Sequence, residues 1–126
     1  MTLPSCAMPN AIIAGTGSYA PEHVVPNQYF DRVGSNDVWI QERLGIKERR
    51  ISQGETTSEL ATKAAQRALD MAGMAALELD LIVLATATPD RPAPASACMV
   101  QDKLGATNAA GFDIAAVCSG ALFALT

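Results

Sequence analysis

"LDLIVLATAT", residues 79–88, is apolar at both parities of a strand, and that feature decides the fold. A strand with one wet face alternates apolar and polar residues. A continuous apolar run calls for cover on both faces, as in a parallel sheet with helices on either side. The neighbouring sequence supplies such helices. Upstream, "TTSELATKAAQRALDMAG" (56–73) opens with Thr56 and Glu59 at the spacing of a capping box. Ala61, Ala64, Ala65, Ala68 and Ala72 follow as a small apolar stripe at helical spacing, which predicts close packing on a sheet, and Gly73 is a natural C-terminal stop. Downstream, Pro89, Pro92 and Pro94 predict an extended loop. "SACMVQDKLG" (96–105) then reads as a short helix closed by Gly105, with Cys98 as a small core residue. "AAGFDIAAV" (109–117) is a further strand.

Nearer the N-terminus, "AIIAGTGSYAP" (11–21) reads as a short buried strand followed by a turn that Gly15 and Gly17 permit. Its GTG lacks the third glycine of a dinucleotide fingerprint, and Pro21 keeps a helix from following, so nucleotide binding is not supported there. The order strand, helix, strand, helix, strand predicts an α/β fold with a mostly parallel sheet, helices on both faces and right-handed crossovers. Residues 22–55 are irregular and polar, with short helical pieces at "NQYFDRV" and "NDVWIQERL", the second capped by Asn36 or Asp37. Trp39, the single tryptophan, either packs on the core or offers a stacking platform for a flat ligand. Arg43 lies four residues on, on the same helical face.

The bulk composition narrows the function. The chain has 126 residues, 49% of them hydrophobic, which suits one small packed domain. Nine basic against thirteen acidic residues give a net charge of −4, and "KERR" (47–50) is the only basic cluster, so no nucleic-acid track is expected. Three widely spaced cysteines suggest neither a disulfide framework nor a zinc site. The start "MTLPSCAMPN" lacks the features of a signal peptide, and no apolar run nears the ~20 residues of a membrane span. The expectation is a soluble, cytoplasmic protein with no metal and no membrane partner.

Cys118 closes the last strand and opens "SGALFAL", which reads as a helix. Ligands of open α/β sheets bind beyond the carboxyl ends of strands. A helix N-terminus there favours thiolate, the nucleophilic form, and Gly120 and Ala121 would leave room for a substrate. The pattern is that of a nucleophile elbow with Cys in place of Ser; an inert buried cysteine is the alternative. A cysteine nucleophile also needs a polar partner and oxyanion donors. The one histidine, His23, lies in the early loop, and nothing in the sequence places it near Cys118.

Six stretches together resemble one family: "IIAGTGSYAPE", "DVWIQERLGIKERR", "AAQRALDMAG", "LDLIVLATATPD", "QDKLGA" and "GFDIAAVCSGALFAL". In this order, across nearly the whole chain, they are similar to the N-terminal part of β-ketoacyl-acyl carrier protein synthase III, a condensing enzyme of the thiolase fold. The resemblance implies that Cys118 accepts the acyl group and that Trp39 and Arg43 help hold the adenine end of coenzyme A. The reaction it implies is a decarboxylating Claisen condensation of a primer from acyl-CoA with malonyl-acyl carrier protein. Acyl-CoA is a substrate there, and no cofactor is implied. A histidine and an asparagine of the family's C-terminal half do the decarboxylation; His23 does not match that histidine.

Some positions depart from the family pattern. "VCSG" stands where "ACAG" is common, so Val117 and Ser119 could alter the primer pocket. Ala93 stands where a large apolar residue often reaches the partner subunit's acyl pocket, and Leu44 where a polar residue is common. The family has two similar halves and forms homodimers. Residues 1–126 are therefore expected to be the N-terminal half of a thiolase-like domain, ending after the nucleophile helix, inactive alone and completed by a C-terminal half. The alternatives are a non-catalytic or incomplete half needing a complementary chain, or a specialised secondary-metabolism acyltransferase without decarboxylation.

Overall fold

A computed structural model describes residues 11–126. At its centre β3 (Leu81–Ala85) and β4 (Ala110–Ile114) pair in parallel, from Leu81 opposite Ala110 to Ala85 opposite Ile114. Side chains alternate between the faces of a strand, so Ile82, Leu84, Gly111 and Asp113 share one face. That face carries α3 (Ser96–Leu104), pressed so close that a Cβ on Gly111 would lie 3.2 Å from the Ala97 carbonyl carbon. The opposite face, which includes Ala85, carries α4 (Gly120–Ala124), where a Cβ on Gly120 would lie 2.9 Å from the Ala85 Cβ. The parallel pair thus has a helix on each face, as its apolar run requires.

The helix α2 (Thr57–Ala72) packs beside α3. Its ends follow the sequence reading. Thr56 Oγ1 accepts from the Glu59 amide, the Thr56 amide donates to Glu59 Oε2 at 2.9 Å, and Gly73 ends the helix at φ +65°. Ala64, Ala68 and Ala72 lie under the segment around Gly15 and Gly17. A Cβ on Gly15 would run into the Ala68 carbonyl oxygen, and one on Gly17 into that of Ala64. Neither glycine has a positive φ. They are there for close approach to α2, not for the turn that the sequence suggested.

The expected strand at 11–14 does not form. It joins no ladder among the described residues, and Ile12 and Ile13 are 83% and 78% exposed. An apolar cleft of about 550 Å³, lined by Ile12, Ile13, Leu69, Met74, Leu79 and Leu81 among others, borders this segment, α2 and β3. A strand without an edge to pair with keeps its backbone groups on water.

The early region, expected to be irregular, holds a second small sheet. β1 (Val24–Pro26) runs antiparallel to β2 (Glu48–Arg50), a small pair separate from the parallel β3–β4 pair. Between them, α1 (Asp37–Leu44) follows a 3-10 turn at Asn27–Val33. Asn36 is its cap, accepting from the Trp39 amide at 2.9 Å. The fully buried Asn27 ties these pieces together. It donates to Asp37 Oδ1 (2.9 Å) and the Ile46 carbonyl (2.6 Å), and accepts from Arg49 (3.0 Å). The proline loop is a series of bends at 87–88 and 90–94, not an extended segment, and contains a cis Ala93–Pro94 bond.

Candidate functional site

At the carboxyl end of β4 the chain turns sharply. The Ile114 carbonyl accepts from the Thr86 amide (3.0 Å), which carries the pairing one step beyond β3. A 3-10 turn at Val117–Ser119 follows, closed by Ser119 N–H donating to the Ala116 carbonyl at 3.0 Å. Gly120, buried on Ala85, then starts α4. Cys118 sits in this turn with its side chain exposed and its thiol in no hydrogen bond among the described residues.

Val117 takes φ +46°, the only positive φ outside glycine among the described residues. For a β-branched residue this conformation is strained, of order 1–3 kcal/mol. The turn therefore shares the defining strain of a nucleophile elbow, carried by the residue before the cysteine. One sequence expectation changes here. Gly120 leaves no room for substrate, because its open side is filled by Ala85; it lets α4 seat on the sheet.

Beneath the turn lies a polar framework. Asp113 accepts from the Ser96 amide with Oδ2 and from the Ala97 amide with Oδ1, both at 2.8 Å, and so caps α3 from the neighbouring strand. Asp90 Oδ1 accepts from the Ser58 amide at the start of α2 (3.0 Å), and the Asp90 amide donates to Ser96 Oγ (2.9 Å). Burial pushes the Asp90 carboxyl up, but hydrogen bonding from Ser58 outweighs it and holds the group below its ordinary value. Ser58 and Ser96 are fully buried. Sequence reading missed all four residues. The available signal was Asp113, a charge inside an otherwise apolar strand.

Trp39 is 52% exposed, since its neighbour Ile40 takes the core position of α1. Arg43, also exposed, makes no ion pair or hydrogen bond among the described residues. No hydrogen bond joins either to the Cys118 turn. The indole and guanidinium thus remain open to a ligand on one face of α1. His23 lines a separate pocket of about 230 Å³ with Tyr19, Glu22, Ile51, Gln53 and Glu55, and its carbonyl accepts from the Ile51 amide. In that pocket Glu55 is held below its ordinary value by hydrogen bonds from Lys63 and Tyr19. Cys98 is half-buried on α3, its sulfur 3.6 Å from the Gly111 carbonyl oxygen. Among the described residues, no three His, Cys, Asp or Glu side chains gather to hold a metal, and no helix is long and apolar enough to cross a membrane.

The chain is similar to curated β-ketoacyl-[acyl-carrier-protein] synthases III. It is 56% identical over 117 residues to that of Hyphomonas neptunium, covering 91% of this chain and 36% of the relative. It is 50% identical over 127 residues to that of Bordetella petrii, covering 95% and 39%. Among solved structures, 3-oxoacyl-[acyl-carrier-protein] synthase III from Aquifex aeolicus VF5 matches with a TM-score of 0.84 at 47% identity, over 90% of this chain and 37% of that one. The priming β-ketosynthase from the R1128 polyketide biosynthetic pathway matches with a TM-score of 0.84 at 38% identity, over 90% and 34%. No protein-family model matches. The chain thus spans little more than a third of the length of these relatives.

Proposed function

We propose that this chain, which matches β-ketoacyl-[acyl-carrier-protein] synthases III in sequence and in a partial thiolase-like fold, is the N-terminal stretch of such an enzyme and carries its acyl-loading cysteine. The observation that supports this most is Cys118, exposed on a strained turn at the carboxyl end of a parallel strand. The Cys118 thiolate attacks the thioester carbonyl of acyl-CoA. A new carbon–sulfur bond forms, the bond to coenzyme A breaks, and coenzyme A leaves as a thiolate that takes up a proton. Trp39 and Arg43 receive the adenine end of coenzyme A, the indole by stacking and the guanidinium by charge.

Malonyl-acyl carrier protein then loses carbon dioxide. The electron pair left behind attacks the acyl carbonyl, and Cys118 departs as thiolate. The histidine and asparagine that polarise the malonyl carbonyl match no residue of this chain, so this step is assigned to the remaining length of the protein. The enzyme so completed is a cytoplasmic homodimer.

The test is the intact mass of the full-length protein after incubation with short and medium acyl-CoA. One acyl adduct, mapped to Cys118, lost in Cys118→Ala and retained in Cys98→Ala, is the expected result. An adduct that survives Cys118→Ala removes the proposal.

A second reading has its own observation. Phe112, Leu122, Phe123 and Leu125 are 47–77% exposed, leaving the α4 side apolar and open. That suits a structural half that needs a complementary chain. Loading of Cys118 followed by turnover to a condensed product would exclude it.

A further inference from the structure

We propose that Asn27 is a positioning residue for acyl-CoA, fixing α1 so that Trp39 and Arg43 meet the nucleotide end of the substrate; the inference rests on the loading reading above. α1 has eight residues, too few to hold a helix in water by themselves. One side chain holds both its ends. The Asn27 amide nitrogen donates to Asp37 Oδ1 at the first residue of the helix (2.9 Å) and to the Ile46 carbonyl just past the Gly45 cap (2.6 Å). Asn27 Oδ1 accepts from Arg49 of β2 (3.0 Å), whose guanidinium also lies over the Phe30 ring at 4.8 Å. Asparagine alone carries two N–H donors and an acceptor on so short a stem; aspartate has the shape without the donors. Asn27 is fully buried with all its partners inside 27–49, so further chain can only add cover.

The clamp and the two candidate side chains lie on opposite sides of the helix. Gln41 Nε2 donates to both Asp37 carboxylate oxygens at 2.8 Å, so Asp37 and Gln41 share the face turned toward Asn27. Each helical residue turns about 100°, so Trp39 and Arg43, two residues on from that pair, lie about 200° round the axis. Hydrogen bonds from Asn27 and then Gln41 hold the Asp37 carboxyl below its ordinary value, which keeps it an acceptor at neutral pH. A fully satisfied buried network of this kind selects one arrangement of the pieces it joins. Loosening it lowers the fraction of molecules with Trp39 and Arg43 in place, and the apparent affinity for a ligand of that face falls by the same fraction.

The experiment follows loading of Cys118 in the full-length protein by intact mass, with acetyl-CoA and acetyl-pantetheine as probes. The second carries the thioester without the nucleotide. Asn27→Asp should raise the half-saturating concentration of acetyl-CoA about tenfold, as when about a tenth of the molecules keep α1 in place. The maximal loading rate and the loading by acetyl-pantetheine should not change. Adding Asp37→Asn sets an amide donor opposite the new carboxylate and should recover part of the loss, which general destabilisation would not allow. Where Asn27→Asp leaves too little folded protein, Asp37→Ala, which removes one anchor only, must show the same split between the probes. An unchanged acetyl-CoA to acetyl-pantetheine ratio in the variant that folds, or an equal loss on both probes, reduces Asn27 to a structural residue and overturns the inference. Trp39→Ala is measured in parallel. An unchanged ratio there overturns the placement of the adenine end on α1, and this inference with it. Absence of any Cys118 adduct in the unaltered protein overturns the loading reading itself.

Discussion

The two faces of the β3–β4 pair are finished to different degrees. On one, α3 lies almost in backbone contact with Gly111, both Asp113 oxygens are used on its first amides, and Ala97, Val100, Ala106 and Ala109 are buried. On the other, a five-residue helix sits on Ala85 through Gly120 while Leu122, Phe123 and Leu125 stay exposed and Val117 is strained. The difference teaches that the α3 face is fixed by contacts within residues 11–126, whereas those residues cover the α4 face only in part. The α3 face holds β4 in position, and the turn at its end carries Cys118.

The contrast can be broken hardest at Asp113. Asp113→Ala removes two charge-assisted hydrogen bonds, each worth about 1.5–3 kcal/mol, and should lower stability by roughly 3 kcal/mol or more. A urea midpoint that barely moves would show that α3 does not depend on its neighbour's carboxylate. Gly17→Ala comes next. Its new methyl meets the Ala64 carbonyl oxygen, and overpacking of this kind costs about 1–3 kcal/mol. Loss of less than that would mean the 15–17 segment can lift off α2 freely.

A pH experiment sharpens the same contrast. The Asp90 carboxyl is depressed below its ordinary 3.8, so the folded state binds its proton less readily than the unfolded chain does. Its contribution is complete above pH 3.8 and is lost as pH falls through the lower folded value. Asp90→Asn should therefore flatten the fall of the urea midpoint as pH drops below 3.8. Equal slopes in both proteins would place the acid sensitivity elsewhere. The smallest effect is expected on the open face. Phe123→Ser in this 126-residue chain should change stability by no more than about 0.5 kcal/mol, since the ring is 60% exposed. A clearly larger loss would show that the α4 side is packed after all.

Much of the framework was legible from local signals. The capping box at Thr56 and Glu59 and the glycines at 73 and 105 act within one or two turns of backbone, so residue type and spacing suffice to read them. The unbroken apolar run of β3 demanded cover on both faces and found it. The failures share a cause. The 11–14 segment has the composition of a buried strand, but a strand exists only against an edge, and no composition supplies one. The β1–β2 pair escaped notice because each strand is three residues long, too short for a period to show. At the candidate site, Cys118 was legible as a strand-to-helix junction, and the resemblance pointed to Trp39 and Arg43. The strain at Val117 was not legible, since it arises from hydrogen bonds and packing on both sides of the turn.

By itself, then, the sequence determined the helices with their caps, the parallel pairing of two strands and the position of the cysteine at the end of one of them. These follow from hydrogen bonds and side-chain periods a few residues long. Only the tertiary structure decided why Gly15 and Gly17 must lack side chains, which carboxylate caps α3, what fills the space beside Gly120 and which residue bears the strain before Cys118. Each of these depends on atoms distant along the chain and adjacent in space, as when Asp113 reaches the amide of Ser96, 17 residues earlier. Steric exclusion and hydrogen bonding act on that adjacency alone.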